Sequence, residues 1–337
     1  VGNATTNTDK ASTDSTTVKA NVATNIPQGK EELVNNAAGQ MTDGAAIDGK
    51  NLEAVVKSEA DKNNITKTAA VNNNAVTIYN NNKTDNADKL TADNVAIVYQ
   101  SYIDVTVSDV EKTGDTYSQL SLELIPMYRV VATKQDNVTS DATLVTEGDG
   151  QNAVVIQAGQ PLNNVPVNNY KVKLALPSGF ASKDAKLSIK HTKGNGSVEY
   201  YTGTVSTEGE EGSAKTYVTF TTNGFSPFVI YAASANVASI GDGENEQVFT
   251  SFQAAVDAVE NGGTIKALKN IDSTVSGNKT FTVNAESNTV TLTAASGYNL
   301  TKNDNVYTVS RQHSGSSSSG TTTTYNVNVN AATNGAV

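Results

Sequence analysis

Ile103-Asp-Val105-Thr-Val107-Ser-Asp-Val-Glu-Lys-Thr-Gly114-Asp115-Thr-Tyr-Ser-Gln-Leu120-Ser-Leu122-Glu-Leu124 decides the fold. Ile103, Val105 and Val107 alternate with Asp104, Thr106 and Ser108, and Leu120, Leu122 and Leu124 alternate with Ser121 and Glu123. A period of two puts every apolar side chain on one face of an extended strand. Gly114-Asp115 between the two arms is a turn signal, so the stretch reads as a hairpin with one dry face. Tyr128, Val130 and Ala132 continue the pattern beyond Pro126, which belongs at an edge or a bend because its ring has no N–H. Outward from here the same alternation returns at Val154–Ile156, Tyr170–Leu176, Leu187–Ile189, Val198–Val205, Tyr217–Thr221 and Phe225–Tyr231. Short strands at intervals of roughly ten residues predict an antiparallel β-sandwich over 93–233.

Upstream, residues 1–25 are mostly Thr, Asn, Ser, Asp and Lys and read as a flexible segment unless a neighbour pins them. Residues 26–92 read as a small α+β region. Pro27 precedes Glu31 and Glu32, with Leu33, Ala37 and Met41 at helical spacing. A second helix over 50–62, carrying Leu52, Val55 and Val56, completes a helical hairpin, and Val76 and Ile78 read as the first strand. Downstream, 237–310 reads as a helix with several strands. Thr250-Ser-Phe-Gln253 has capping-box spacing, and Phe252, Ala255, Val256 and Val259 form one stripe that Asn261-Gly262-Gly263 ends. Residues 311–324 are a Ser/Gly/Thr linker, and Tyr325-Asn-Val327-Asn-Val329 opens a further β module over 325–337 that stops after a few residues. The fold class expected is mainly β with minor α, a multi-module slice of a longer chain.

Composition narrows the function. The 337 residues are 37% hydrophobic and 6% aromatic, with no Trp. No Cys is present, which removes disulfides, thiolate metal sites and Cys nucleophiles, and points to a bacterial exoprotein. A net charge of −10, with arginine only at Arg129 and Arg311, argues against nucleic acid as a partner. No apolar run is long enough to span a membrane.

Phe249-Thr-Ser-Phe-Gln-Ala-Ala-Val-Asp-Ala-Val-Glu-Asn-Gly-Gly-Thr-Ile-Lys-Ala-Leu-Lys-Asn-Ile271 resembles a segment of modular secreted and cell-surface proteins of Gram-positive gut bacteria. In those proteins a short helix and a Gly-Thr-Ile-x-x-Leu strand open a β-helix-like module. Asn223-Gly-Phe-Ser-Pro-Phe-Val-Ile230 resembles the last strand of their sandwich domains, and Tyr325–Val337 is similar to the first strand of their repeated β modules. The resemblance implies an extracellular, wall-attached architecture of the kind that often carries S-layer-homology domains.

Candidates for chemistry are few. His191 follows Leu187 and Ile189 on one strand face and reads as a core-edge residue, and His313 lies in the linker. Two acidic loops, Glu147–Asn152 and Asp242–Glu246, read as solvated turns rather than calcium sites. Lys171, Lys173, Lys183, Lys186, Lys190 and Lys193 mark the wet face of a sheet. Tyr200 and Tyr201 point to opposite faces of one strand, so one of them is exposed unless a neighbour covers it, and they are the ligand-contact candidates. Abundant Lys and Asn in a Cys-free chain are also compatible with an internal Lys–Asn crosslink. The reading is therefore a non-enzymatic surface protein with no catalytic residue, no metal and no cofactor. Its work is spacing, structure or adhesion, its possible partners are a cell-wall polymer, host glycan or host protein, and self-association through Tyr325–Val329 is a further option. The alternatives are a glycan- or host-protein-binding module and part of a polysaccharide-degrading enzyme.

Overall fold

The computed structural model describes residues 20–41, 65–137, 153–210 and 212–312, with short stretches at 5–6, 15–16, 45–47, 55 and 58–59. The expected helix at 50–62, His313, the loop at 147–152, the linker and the strand at 325–329 lie wholly or largely outside the described residues. The fold is mainly β with minor α, as its alternating apolar pattern requires.

Short strands β1 (Thr5–Thr6), β2 (Ser15–Thr16), β3 (Ala20–Val22) and β4 (Ala45–Ile47) precede the hairpin, which is longer than its strongest stretch implies. Strands β5 (Val95–Thr113) and β6 (Thr116–Lys134) pair along almost their whole length, from Val95↔Lys134 to Thr113↔Thr116. Gly114, at φ +62°, makes the tight turn that an L side chain resists. A register shift between Val107 and Asp109 bulges Ser108 outward and changes the parity, so Val107 and Val110 both point inward and are fully buried.

From β6 the sheet runs through β12 (Pro227–Tyr231), β9 (Lys186–Thr192), β10 (Val198–Glu208) and β11 (Lys215–Thr222) to β8 (Tyr170–Ala175). The strand β7 (Ala153–Pro161) pairs with the other half of β6. Both partners use the same edge of β6, β12 along Gln119–Glu123 and β7 along Met127–Thr133. Pro126 sits at the fork between them, where a missing N–H breaks no ladder, and its carbonyl accepts from Leu162 N at 2.9 Å. The two layers of the expected sandwich are thus one continuous sheet folded over a shared core. Ile103, Val105, Leu120, Leu122, Leu124, Val172, Leu174, Leu187, Ile189, Val218, Phe220, Phe228 and Ile230 fill it.

Helix α1 (Glu31–Met41) packs against β3, β5 and β8 and buries Val34, Ala37, Ala38 and Met41 in that same core. Ala20–Val22, within the segment expected to be flexible, is pinned by parallel pairing with β5, Ala20 opposite Val105. Val76 and Ile78 are not in a strand. After α2 (Lys67–Val71) they lie in α3 (Asn74–Asn81), because the Asn73 side chain accepts from Ala75 N at 2.9 Å and starts a helix there. Val76 and Tyr79, three apart, supply its buried face against Val95 and Ala132, while Ile78 is 54% exposed.

The second module has its own core. Strands β13 (Ala238–Ile240) and β14 (Gln247–Phe249) lead into α4 (Phe252–Ala258), followed by β15 (Thr264–Ala267), β16 (Ile271–Val275), β17 (Lys279–Asn284), β18 (Val290–Ala294), β19 (Tyr298–Asn303) and β20 (Val306–Arg311). The helix is capped by Ser251, whose hydroxyl accepts from Ala254 N at 3.0 Å, one residue later than the capping-box spacing implies. Gln253 is diverted to Ser276, accepting from its N–H at 2.8 Å. β15 pairs in parallel with β17, and β16 in parallel with β18, so two successive coils stack as in a β-helix. Asn side chains tie one coil to the next: Asn261 Oδ1 accepts from Thr280 N at 2.8 Å and Asn270 Oδ1 from Thr289 N at 2.9 Å. Phe281 stacks on Tyr307 at 5.9 Å inside, and the antiparallel β19–β20 hairpin extends the sheet from β17.

Gly203 of β10 lies beside Val218 of β11 and Ile189 of β9. A Cβ there would stand 2.4 Å from Val218 Cγ2 and 2.9 Å from Ile189 Cδ1. Gly203→Ala is therefore expected to cost about 1–3 kcal/mol in chemical denaturation. Gly194→Ala, whose Cβ meets nothing within 4 Å, should stay within about 0.5 kcal/mol. Equal effects would contradict the packing described.

Candidate functional site

Among the described residues, strand β10 contributes to two gatherings of polar side chains. Its pleat sends Glu199 and Tyr201 to one side and Tyr200, Thr202 and Thr204 to the other.

On the inner side, Glu199 stands opposite His191 and Tyr201 opposite Ile189 in the β9–β10 ladder. His191 is 2% exposed and stacks on Phe228 with centroids 4.5 Å apart. Its Nε2 lies 2.5 Å from Ser226 Oγ and its Nδ1 3.3 Å from Tyr201 Oη. The Tyr201 hydroxyl lies 2.6 Å from Glu199 Oε2 and 2.9 Å from Asn223 Oδ1, and its single proton can serve either. Asn223 Nδ2 donates to Glu199 Oε2 at 2.7 Å, and Lys193 Nζ donates to Glu199 Oε1. One tautomer satisfies the set: Nδ1–H donates to Tyr201, which donates to Glu199, leaving Nε2 to accept from Ser226.

Burial holds the His191 imidazole below its ordinary value, with Lys193 adding to the effect and Glu199 opposing it. Burial pulls the Glu199 carboxyl upward, but hydrogen bonds from Lys193, Tyr201 and Asn223 outweigh it and leave the group below the usual carboxylate range. Burial, helped by the bond to Glu199, raises the Tyr201 phenol. The resting cluster is thus a neutral imidazole, a neutral phenol and a carboxylate bound to a lysine. A base in contact with a hydroxyl is the start of nucleophilic chemistry, but His191 is sealed beneath Phe228 and Tyr201. The core-edge expectation places His191 well; its hydrogen-bonded partners come from the tertiary fold.

On the outer side, Tyr200 meets the second module. Its ring lies edge-on to Phe249, 6.5 Å away, and Thr202 Oγ1 accepts from Val248 N at 2.9 Å. Asn236 Nδ2 donates to Lys186 O at 2.9 Å, and Lys269 Nζ donates to Ser234 O. Ser188, opposite Thr202 in the ladder, is fully buried. Beside this joint runs a groove of about 560 Å³, lined among others by Lys186, Tyr200, Thr204, Glu244, Glu246 and Gln247. Neither His191 nor Ser226 lines it.

Tyr200 and Tyr201, the two ligand-contact candidates, therefore go to different environments, and both are half-buried. The hydroxyl of Tyr201 is engaged in the inner cluster, and Tyr200 is covered in part by the neighbouring module. Both are also among the residues that line the groove. The inner cluster brings in Lys193, Glu199, Asn223 and Ser226, which sequence reasoning did not single out as a group. Asp242–Glu246 forms a short 3₁₀ turn on the groove rim, and among the described residues no three His, Cys, Asp or Glu side chains gather as a metal site. Among the same residues no helix is long and apolar enough to cross a membrane.

Lowered His191 basicity has a stability consequence. Its ordinary value is 6.5 and the folded value lies below it, so the unfolded chain takes up a proton that the folded chain refuses. Stability should be full above about pH 6.5 and fall as pH drops through the folded value. Glu199, lowered from 4.5, adds its own loss only at lower pH. The urea midpoint is expected to fall between about pH 7.5 and about pH 5.5, and His191→Phe to flatten that slope. A flat native profile, or a slope that survives the substitution, would contradict the assignment. No protein-family model, curated protein or solved structure matches the chain, so its function is argued from this geometry.

Proposed function

We propose that this chain is a non-enzymatic structural segment of an extracellular, modular surface protein of a Gram-positive bacterium, serving as a stiff spacer on the envelope. The observation that carries the reading is the packed joint between the sheet and the second module. A spacer transmits direction only if consecutive modules do not pivot, and modules joined by bare linkers reorient freely. Here β14 lies against β9 and β10, Tyr200 meets Phe249 and Thr202 accepts from Val248 N, while the connection between the modules is tied to the sheet through Asn236 and to the second module through Ser234. The absence of Cys and the modest charge are compatible with a surface role outside the cell. Adhesion, wall-polymer contact and attachment through neighbouring domains belong to the same proposal.

The groove beside the joint favours a second reading, a glycan-binding module. Tyr200 offers an aromatic edge, while Thr202, Thr204, Thr219 and Thr221 offer hydroxyls, and Glu244, Glu246 and Gln247 offer carboxylate and amide oxygens. This mix suits a neutral saccharide, whose hydroxyls need both donors and acceptors.

Because the chain has no Cys, two spin labels can be placed without background. Val167→Cys and Val306→Cys put one exposed label on each module. Pulsed electron resonance should return one narrow distance distribution, and Tyr200→Ala should broaden it. A broad distribution in the otherwise native protein would remove the spacer reading. A glycan array showing saturable binding that Tyr200→Ala abolishes would move the assignment to the second reading, and turnover of a polysaccharide would overturn the non-enzymatic one.

A further inference from the structure

Lys193, Glu199 and Asn223 form a group of side chains, among the described residues, at which covalent chemistry needs nothing from outside the protein. Lys193 follows the end of β9, Glu199 lies near the start of β10, and Asn223 follows the end of β11. Glu199 holds the other two at once: its Oε1 accepts from Lys193 Nζ and its Oε2 from Asn223 Nδ2 at 2.7 Å. An amine and a carboxamide bound to the two oxygens of one carboxylate are gathered on a single group, which replaces a bimolecular encounter with an intramolecular one. The Tyr201 hydroxyl, 2.9 Å from Asn223 Oδ1, stands where negative charge develops if that carbonyl is attacked.

We propose that Lys193 and Asn223 become joined by an amide crosslink, with Glu199 as the proton carrier and Tyr201 as the donor to the developing oxyanion. Glu199 takes a proton from the Lys193 ammonium, and the freed Nζ lone pair attacks Asn223 Cγ. Once Glu199 is neutral, the Tyr201 proton turns from it to Oδ1 and stabilises the tetrahedral intermediate. Glu199 then gives its proton to Nδ2 as the Cγ–Nδ2 bond breaks, and recovers one from Nζ. Ammonia departs and carries off the proton left on Glu199, so the balance is one lysine ammonium and one carboxamide to one secondary amide and one ammonium ion. No oxidant, metal or cofactor takes part. That Glu199 is held as a carboxylate at neutral pH, against the pull of its partial burial, fits its first duty as base. The wall of the site is the stacked pair His191 and Phe228 beside Tyr201, which limits water to one side. In the sheet, the product would tie the end of β9 to the connection between β11 and β12, across the intervening β10.

The proposal is independent of the spacer reading and is tested on the full chain by denaturing intact-mass spectrometry after folding at neutral pH. The expected mass is one ammonia below the sequence mass, with a proteolytic fragment that contains both Lys193 and Asn223 in two linked peptides. Asn223 precedes Gly224, and an Asn-Gly pair can lose the same ammonia by closing on its own backbone to a succinimide. Lys193→Arg separates the two: it keeps a cation on Glu199, and it should restore the full sequence mass. Glu199→Gln should also restore it, with the fold checked by circular dichroism. A native protein of full mass, or an ammonia loss that persists in Lys193→Arg, would overturn the crosslink.

Discussion

A β-strand has two faces, and β10 uses both for packing. On one face Tyr201, Gly203 and Val205 close the core of the curled sheet, and on the other Tyr200 and Thr202 receive the second module. A one-residue slip of register would exchange the two sets and place Thr202 and Thr204 in the core. The long ladders from β10 to β9 and from β10 to β11 oppose that slip, and Gly203 leaves the space of a Cβ to the side chains of Val218 and Ile189. The inner polar cluster, the joint and the groove beside it all inherit their positions from this alternation.

The curled sheet places its demands elsewhere on the chain. Two 19-residue strands paired end to end would make a ribbon too long for one core. Two devices divide it. The bulge at Ser108 turns β5 so that Val107 and Val110 both face inward, and Pro126 marks where β6 exchanges one partner strand for another. Beyond that point both faces of the hairpin are covered, with Val95 and Ala132 under α3 on one side and Ala96, Val98 and Val131 beside Val155 on the other. Helix α1 then packs on β5 and β8, strands far apart in the sheet order, and helps close the fold around its apolar interior.

Most of the β structure could be read from residues alone, because alternation over Ile103–Leu124, Tyr170–Leu176 and Tyr217–Thr221 is strong enough to outweigh context. The helical stripe Phe252, Ala255, Val256 and Val259 was equally plain. Val76 and Ile78 misled because an i, i+2 pair of β-branched residues is too short to reveal its period, and the deciding residue was the Asn73 cap. The site was barely legible. Glu199 and Tyr201 share a face by spacing, and His191 joins them once the hairpin is drawn, but Asn223 and Ser226 arrive only through the long-range register of β11 and β12. Nor did the pattern reveal which of Tyr200 and Tyr201 a neighbour covers, because the partner of Tyr200, Phe249, lies in another module.

The claim that the two modules share one packed joint is tested most directly at a single amide. Val248 N–H points at Thr202 Oγ1 across the interface, at 2.9 Å. Native-state hydrogen exchange should find that amide protected to the same degree as those in the β9–β10 ladder. Exchange at the rate of an open, solvent-facing amide, while β9 and β10 remain protected, would mean that the modules separate in solution and that the joint does not hold them.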